Sequence, residues 1–556
     1  MSADQIRAAV RAHAATLPRS ERGAFAEIFA HPSPLDNTAP AEDTQQSTWP
    51  VEDDPLLTDI DDLVDRISSG DYYEGFGWDP EIRDQRSFGD ESWVWEMDGL
   101  LDDAQAAFLA GDLGLARAAY ERLVRAFDLD QEVGTFCGPS PPDEMVRTDV
   151  AEAESQYLRA VYETTPPAQR AATLVDEWFD LPSRHAPTLA AVRESRPHDL
   201  PGLNAFLPDW IAELTSLAAE QPGATARVRP LLTEATELHG GADGLANLAH
   251  TPGPGRGERF LDWVQALLRA GREKDAAAAA REALAGPSPY GEAYARLAEH
   301  LAELTRDDDD DAARLTARRT AWRAKPTDQR LLALHSAIPA DAVDAVLAGE
   351  IDELAARPDT APRVSGRLHA LLLLLAGRTG DAAALLRTAD HWPDHADRVV
   401  LPYLLAAGSG GPAQPGWATA QVAGLLAGVD EPWRPDWWAG PTVRARVASE
   451  APTLSSLLIT RITDPTAAES ERWLTLARAE VDRRVRAIIS GKQRGRYAEA
   501  ARLAAAVAEA LALAGHPDAG AEFLATLRTD FPRHTAFRRE LDTATKDRPT
   551  RKTGPR

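Results

Sequence analysis

Two histidines and a run of aspartates are the residues of this sequence whose spacing best suits metal chemistry. His391 and His395 lie four residues apart in DHWPDHAD, a spacing that would place two imidazoles on one helical face. Pro393 stands between them and disrupts a helical turn, so a surface turn is favoured over a metal site. The aspartates at 307–311 lack the central glycine of a calcium loop, and a solvated loop between helices is favoured there.

Cys137 is the single cysteine of the chain and its one candidate sulfur nucleophile. It lies in TFCGPSPPDE, no histidine is identified as its partner, and an inert thiol in a loop is favoured. The glycines of GPGRG, residues 253–257, precede a helix but follow no strand, which favours a plain loop over a phosphate site. The sequence contains no P-loop, zinc-protease, serine-hydrolase or dinucleotide-binding motif. We therefore predict no catalytic residue, no metal and no cofactor.

Two groups of residues are candidates for binding a partner. Cations concentrated in one stretch could contact phosphates or an acidic partner, or could pair with the protein's own carboxylates; they are Arg483, Arg484, Arg486, Lys492, Arg494 and Arg496. Tryptophans in PWRPDWW could form a ligand shelf or could pack between two helical parts; they are Trp433, Trp437 and Trp438.

Residues 71–98, DYYEGFGWDPEIRDQRSFGDESWVWEMD, are acidic and dense in aromatic side chains. The aromatic residues are Tyr72, Tyr73, Phe76, Trp78, Phe88, Trp93 and Trp95. An irregular loop whose rings plug the end of a helical array is favoured, because each ring carries a large apolar area. The alternative is an exposed aromatic patch that docks a partner. Valine and isoleucine rarely alternate with polar residues anywhere in the chain, and we predict no strand.

The elements that must position these residues are helices, since much of the apolar content is alanine, which loses no side-chain entropy in a helix. Several helical pairs share a glycine-led turn followed by a small residue. In the pair at 97–127, Gly111 suits a left-handed helix end, Asp112 suits the next N-cap, and Ala116 allows close approach. Residues 495–532 contain two such turns in succession, the second opening on Gly515.

The turns read GDLGLA (111–116), GREKDA (271–276), GRTGDA (377–382), GRYAEA (495–500) and, more loosely, GHPDAG (515–520). This device resembles the tetratricopeptide repeat, and Pro287, Pro393 and Pro532 lie near the place of that family's repeat-ending proline. The starts follow no period of about 34 residues, so the resemblance implies stacked helical hairpins without fixing a repeat count. It implies an all-α fold, an α-solenoid with irregular aromatic-rich loops, whose groove suits a peptide or helix of a partner.

The segment KQRGRYAEAARLAAAVAEALALAGHPDAGAEFLATLRTDFPRHTAFRRELD is also similar to helical regions found beside SWIM-type zinc fingers in bacteria. That finger needs a Cys-x-Cys and a Cys-x-His pair. Because Cys137 is the single cysteine, the finger is absent, and no zinc or nucleic-acid role is inferred from this similarity.

Composition shifts predict the organisation of the chain. We expect N-terminal helices at 1–31, an acidic disordered linker at 32–55, an irregular helical-repeat region at 56–405, a linker at 406–416, a C-terminal helical-repeat region at 417–545 and a basic disordered tail at 546–556.

Charge and apolar runs bound the compartment and the partners. The net charge is −27, with −15 in residues 1–100 and +6 in residues 461–556, so the front of the chain repels nucleic acid and anionic membranes. We find no signal peptide and no run long enough to span a bilayer, and one cysteine fits a reducing compartment. We expect a cytoplasmic protein without membrane association.

These observations lead to three hypotheses about function. The first is a scaffold or adaptor that binds a partner protein in a groove between helical hairpins. The alternative is a nucleic-acid-associated protein that uses the basic C-terminal segment. The second alternative is an enzyme with an unrecognised site.

Overall fold

The computed structural model describes residues 54–81, 84–131, 136–181, 187–286, 290–305, 310–358, 361, 363–388, 395–413, 417, 421–430, 452–462 and 465–546. These residues are mostly helical, which confirms the all-α prediction, although they include one two-stranded antiparallel sheet. The predicted helices at 1–31, the linker up to position 53 and the tail from position 547 lie outside the described residues. The chain divides into two compact units, Met1–Leu248 and Ala249–Arg556.

The first unit contains a helical array and a β-hairpin. Its elements are α1 (Pro55–Ser69), β1 (Tyr73–Asp79), β2 (Asp84–Gly89), α2 (Trp93–Ala110), α3 (Leu113–Ala126), α4 (Pro142–Met145), α5 (Val150–Thr164), α6 (Arg170–Asp180), α7 (Leu189–Glu194), α8 (Leu203–Glu220) and α9 (Thr225–His250). Helix α9 bends at Gly241, whose backbone leaves the helical conformation.

Helix α5 is the centre of the first unit. It packs against α2, α3, α6 and α7, and its side chains are buried without interruption from position 153 to position 162. A polar side chain buried on such a helix is stabilised when it makes hydrogen bonds within the fold. The buried Arg159 does so by donating to the carbonyls of Arg193 (3.1 Å), His198 (2.9 Å) and Asp199 (3.1 Å). These bonds tie the end of α7 and the segment after it to the core.

The turn between α2 and α3 has the predicted construction. Gly111 ends α2 in the left-handed conformation (φ 89°), and the Asp112 side chain accepts from the backbone N–H of Leu115 at 3.3 Å. Ala116 is fully buried, which allows the two helices to approach closely. The predicted glycine-led turn is therefore confirmed at this hairpin.

All the regular secondary structure described in the second unit is helical. Its helices are α10 (Arg256–Arg269), α11 (Glu273–Leu284), α12 (Glu292–Leu304), α13 (Asp311–Ala324), α14 (Asp328–Ala337), α15 (Val343–Ala355), α16 (Gly366–Leu375), α17 (Thr379–Thr388), α18 (Asp397–Gly408), α19 (Gln421–Ala427), α20 (Leu454–Arg461), α21 (Ala467–Ser490), α22 (Tyr497–Leu513), α23 (Pro517–Asp530) and α24 (Thr535–Lys546).

Packing differs between the two ends of this unit. From α10 to α14 each helix contacts the next in the chain, and α10 also contacts α12. Near the C-terminus the alanine-rich α22 instead lies among α18, α19, α21, α23 and α24. Small side chains on α22 let these helices approach closely. Gly520 on α23 also allows close approach, because a Cβ there would lie 2.6 Å from the Ala508 carbonyl oxygen of α22.

One predicted turn and one predicted linker differ from their expected form. Gly271, Gly377 and Gly515 take positive φ as the motif requires. After α21, by contrast, Lys492 takes the left-handed conformation (φ 54°) and Gly495 lies in the following 3₁₀ turn. Residues 406–409, placed at the start of a linker by the sequence, instead form the end and the C-cap of α18 and are buried. Close packing explains this, since a Cβ on Gly408 would lie 2.6 Å from Cγ of Leu474.

Candidate functional site

The acidic aromatic stretch forms a β-hairpin, so the prediction of an irregular loop without strands is wrong there. Strands β1 and β2 pair antiparallel, with Phe76 opposite Ser87 and Trp78 opposite Gln85. Aromatic residues at every second position favour a strand, because they fit a pleated surface. The signal was missed because the residues between them are glycines rather than a conventional polar face.

A short segment after α3 fixes the hairpin to α2. The backbone N–H of Gly138 donates to the carbonyl of Ser87 at 3.0 Å. The indole N–H of Trp93, at the start of α2, donates to the carbonyl of Cys137 at 3.1 Å, and its ring meets Phe136 edge-on at 4.7 Å. Burial raises the pKa of the Cys137 thiol, which disfavours a reactive thiolate. This cysteine therefore serves the attachment of the hairpin.

Four of the aromatic side chains are exposed, which is the alternative that the sequence left open. Trp95 is 70% exposed, Trp78 61%, Phe76 59% and Phe88 37%, whereas Tyr72 and Trp93 are buried. Within the described part of the chain, the other large hydrophobic side chains exposed to this degree are Leu109 and Leu238. Exposed aromatic area is thus concentrated at the hairpin and the adjoining turn of α2.

The two faces of the hairpin differ. Side chains alternate along a strand, so Phe76 and Trp78 share one face with their cross-strand partners Gln85 and Ser87, and we name these four residues the aromatic face. Phe88 lies on the opposite face beneath Arg86, whose guanidinium carbon is 5.2 Å from the ring centroid.

The cation that stacks on Phe88 is also held by carboxylates. Arg86 pairs with Asp79 at 3.6 Å and with Glu91. The opposite face of the hairpin therefore has a charged cover of its own, whereas Phe76 and Trp78 remain open.

Trp95 contacts a second guanidinium. Arg147 lies 5.7 Å from the Trp95 ring centroid and donates from Nε to the buried carboxylate of Asp98 at 3.0 Å. The backbone N–H groups of Arg147 (2.9 Å) and Thr148 (3.2 Å) donate to the same carboxylate. The arginine is thus fixed at its charged end while its ring partner stays open to solvent.

The hairpin is strongly acidic. Residues 71–91 contain seven carboxylates and two arginines, a net charge of −5. The Glu74, Glu81 and Asp84 side chains are exposed. The aromatic face therefore lies in a negative potential.

The basic run of the C-terminal region is largely paired. Arg484 is buried between Asp397 and Glu499, with the second contact at 3.0 Å, and its burial lowers its pKa to about 10. The other paired cations are Arg483 with Glu480 (2.9 Å), Arg486 with Asp482 (2.8 Å) and Asp530 (2.7 Å), and Arg496 with Glu499 (2.9 Å). Lys492 and Arg494 are exposed and have no ion pair within the described residues. Most of these cations therefore connect α21 to its neighbours.

The structure describes few of the remaining candidates from the sequence. Trp433, Trp437, Trp438, His391 and the aspartates at 307–309 lie outside the described residues. Among the residues that are described, no group of three or more histidine, cysteine, aspartate or glutamate side chains could hold a metal ion.

A groove of about 860 Å³ lies between α21 and α23, beside the end of α18. Leu474, Leu511 and Phe523 are among its apolar lining residues, and the Arg478 guanidinium lies 5.5 Å from the Phe523 ring centroid. Its polar lining residues include Glu471, Asp482 and His516. A groove lined by both apolar and polar side chains has the chemistry that holds an amphipathic helix.

Comparisons of the chain with protein-family models, with curated proteins and with solved structures found no match. No helix in the described ranges is both long enough and apolar enough to cross a membrane.

Proposed function

We propose that this protein is a scaffold or adaptor that docks a partner protein on the aromatic face of its β-hairpin. The observation that carries the proposal is the exposure of Phe76 (59%) and Trp78 (61%) side by side on a hairpin that is fixed to the helical array. Aromatic side chains dominate the energetics of protein interfaces. A rigid base lowers the entropy that docking would otherwise cost.

The exposed area is large enough to anchor an interface. Covering the open parts of these two rings removes roughly 250 Å² of apolar surface from water. At about 25 cal/mol per Å² this contributes about 6 kcal/mol before the costs of association. Two rings can therefore supply the centre of an interface, with polar contacts around them.

The groove between α21 and α23 supports a second docking place, of the kind expected between stacked hairpins. Its volume and its mixed apolar and polar lining suit a partner helix. The contacts of α10 through α14 with their chain neighbours support a solenoid-like stack in that part of the second unit.

The buried thiol of the single cysteine supports a reducing compartment such as the cytoplasm.

Nucleic-acid binding is less well supported by the basic run. Arg483, Arg484, Arg486 and Arg496 already have carboxylate partners. Contact of these four arginines with phosphate would require breaking these pairs, which leaves Lys492 and Arg494 as the cations of the run without an ion pair among the described residues.

The test is affinity purification of the full chain from its native host, followed by mass spectrometry, with and without nuclease. The variant Phe76→Thr with Trp78→Thr keeps strand-forming residues and removes the rings. Leu109→Ala removes an exposed apolar side chain elsewhere on α2 and is the matched control.

We expect a protein that is captured by the wild type and by Leu109→Ala, resists nuclease, and is lost from the double variant. Equal capture by all three proteins would refute docking on the aromatic face.

A further inference from the structure

We infer that the segment docked on the aromatic face is cationic and presents arginine or lysine side chains to Phe76 and Trp78. The inference rests on the proposed function and adds the chemistry of the partner. The observations that carry it are the charge around the aromatic face and the stacking of two arginines of this region on aromatic rings.

The negative charge of the hairpin favours a partner of positive charge. The hairpin and its flanks from 71 to 91 have a net charge of −5, and the carboxylates of Glu74, Glu81 and Asp84 are exposed. An acidic peptide or a phosphate backbone approaching this surface is repelled, whereas a basic segment is attracted. Basic residues around an apolar contact therefore complement the aromatic face.

The region already contains two arginines that each stack on an aromatic ring and pair with a carboxylate. Arg86 lies over Phe88 at 5.2 Å while it pairs with Asp79 at 3.6 Å. Arg147 lies over Trp95 at 5.7 Å while it pairs with Asp98 at 3.0 Å. In both places a guanidinium shares its charge between a ring face and a carboxylate.

Phe76 and Trp78 provide the ring half of the same arrangement. Within the described residues, no cation of the chain stacks on either ring. Tryptophan has the strongest attraction for a cation among the aromatic side chains. A guanidinium or ammonium group from a partner therefore completes the arrangement at Trp78.

The experiment measures binding of labelled peptides to the full chain by fluorescence anisotropy. The probe is a peptide of alternating arginine and leucine, and its counterpart has citrulline, which keeps the shape of arginine without its charge, in place of every arginine. We expect the arginine peptide to bind at least about tenfold more tightly than the citrulline peptide. Phe76→Thr with Trp78→Thr should remove most of this preference, whereas Leu109→Ala should keep it.

Two pairs of charge variants distinguish binding at the aromatic face from bulk attraction to an acidic protein. Glu74→Gln with Asp84→Asn neutralises two carboxylates of the hairpin, and Asp59→Asn with Asp65→Asn neutralises two exposed carboxylates of α1. We expect the first pair to weaken binding of the arginine peptide several-fold more than the second pair.

Each alternative result has a distinct meaning. Equal affinity for both peptides, lost together in the double threonine variant, would overturn the cationic inference and leave docking on the aromatic face standing. An arginine preference that survives the double threonine variant, or that responds equally to both charge variants, would show bulk attraction and overturn the inference. Failure of both peptides to bind would also overturn it, and the purification experiment would still decide the proposed function.

Discussion

Replacing Glu154 by glutamine should remove a pH dependence from the stability of the first unit. Glu154 is fully buried on α5, and neither of its carboxylate oxygens has a hydrogen-bond partner within the described residues. Burial, with smaller effects from the negative charges of Asp143 and Asp128, raises its pKa from 4.5 to about 8. The side chain is therefore a neutral acid in the fold at neutral pH.

The direction of this pH dependence follows from the proton that unfolding releases. Between the unfolded pKa of 4.5 and the folded pKa of about 8, the folded chain keeps the proton and the unfolded chain loses it, so stability falls as pH rises. The contribution is complete below the unfolded pKa and lost above the folded one. From a pH of about 5.5 to about 8.5, Glu154 should lower the free energy of unfolding by about 3 kcal/mol.

Hydrogen exchange measured by mass spectrometry on the full chain reports the stability of α5 separately from the second unit. Amides of α5 should lose protection between the two pH values in the wild type, after correction for the intrinsic exchange rate. In Glu154→Gln this loss should largely disappear. Glu152→Gln, an exposed neighbour on the same helix, should behave as the wild type. Equal pH slopes for wild type and Glu154→Gln would refute the assignment of a neutral buried acid.

Two further substitutions test the packing. Gly520→Ala places a Cβ 2.6 Å from the Ala508 carbonyl oxygen and should destabilise the α22–α23 pair by about 1–3 kcal/mol, whereas Gly495→Ala has open space and should cost little; hydrogen exchange in α23 measures both. Asp98→Asn replaces an acceptor of bonds from Arg147 Nε and backbone N–H with a group that also donates, and should lower the unfolding free energy of the first unit by about 2 kcal/mol, measured as lost protection in α2.

The helical part of the fold was predictable because its signals are local. A left-handed glycine, an N-cap and a small residue at a fixed place specify the hairpin at Gly111, Asp112 and Ala116 without reference to the rest of the chain. At the C-terminal end of α21 the same local rule failed, because Lys492 takes the left-handed position three residues before Gly495.

The β-hairpin formed by β1 and β2 was not predicted, for a different reason. Its strands expose Phe76 and Trp78, so the usual alternation of buried apolar and exposed polar residues is reversed and interrupted by glycine. The spacing of two residues between the rings was nevertheless a strand signal in the sequence. Whether such rings are buried depends on what packs over them, which a local pattern does not specify.

Burial of single charges also depends on the tertiary structure. Arg484 reads as one more cation in a basic run, but α18 and α22 bring Asp397 and Glu499 to it and bury it. Glu154 offered a better signal, because it precedes Tyr157 and Leu158 by three and four residues and so shares their apolar stripe. A charged residue on such a stripe predicts either a paired group or a neutral one.

The central claim is that the aromatic face of the hairpin contacts a partner protein, and site-specific photo-crosslinking tests it most directly. A photoreactive residue in place of Gln85 lies on the aromatic face opposite Trp78, and the same residue in place of Leu109 provides a matched exposed position on α2. After irradiation in native cells, we predict that position 85 crosslinks to a defined segment of one protein and that position 109 does not. No crosslink from position 85, or the same products from both positions, would contradict the claim.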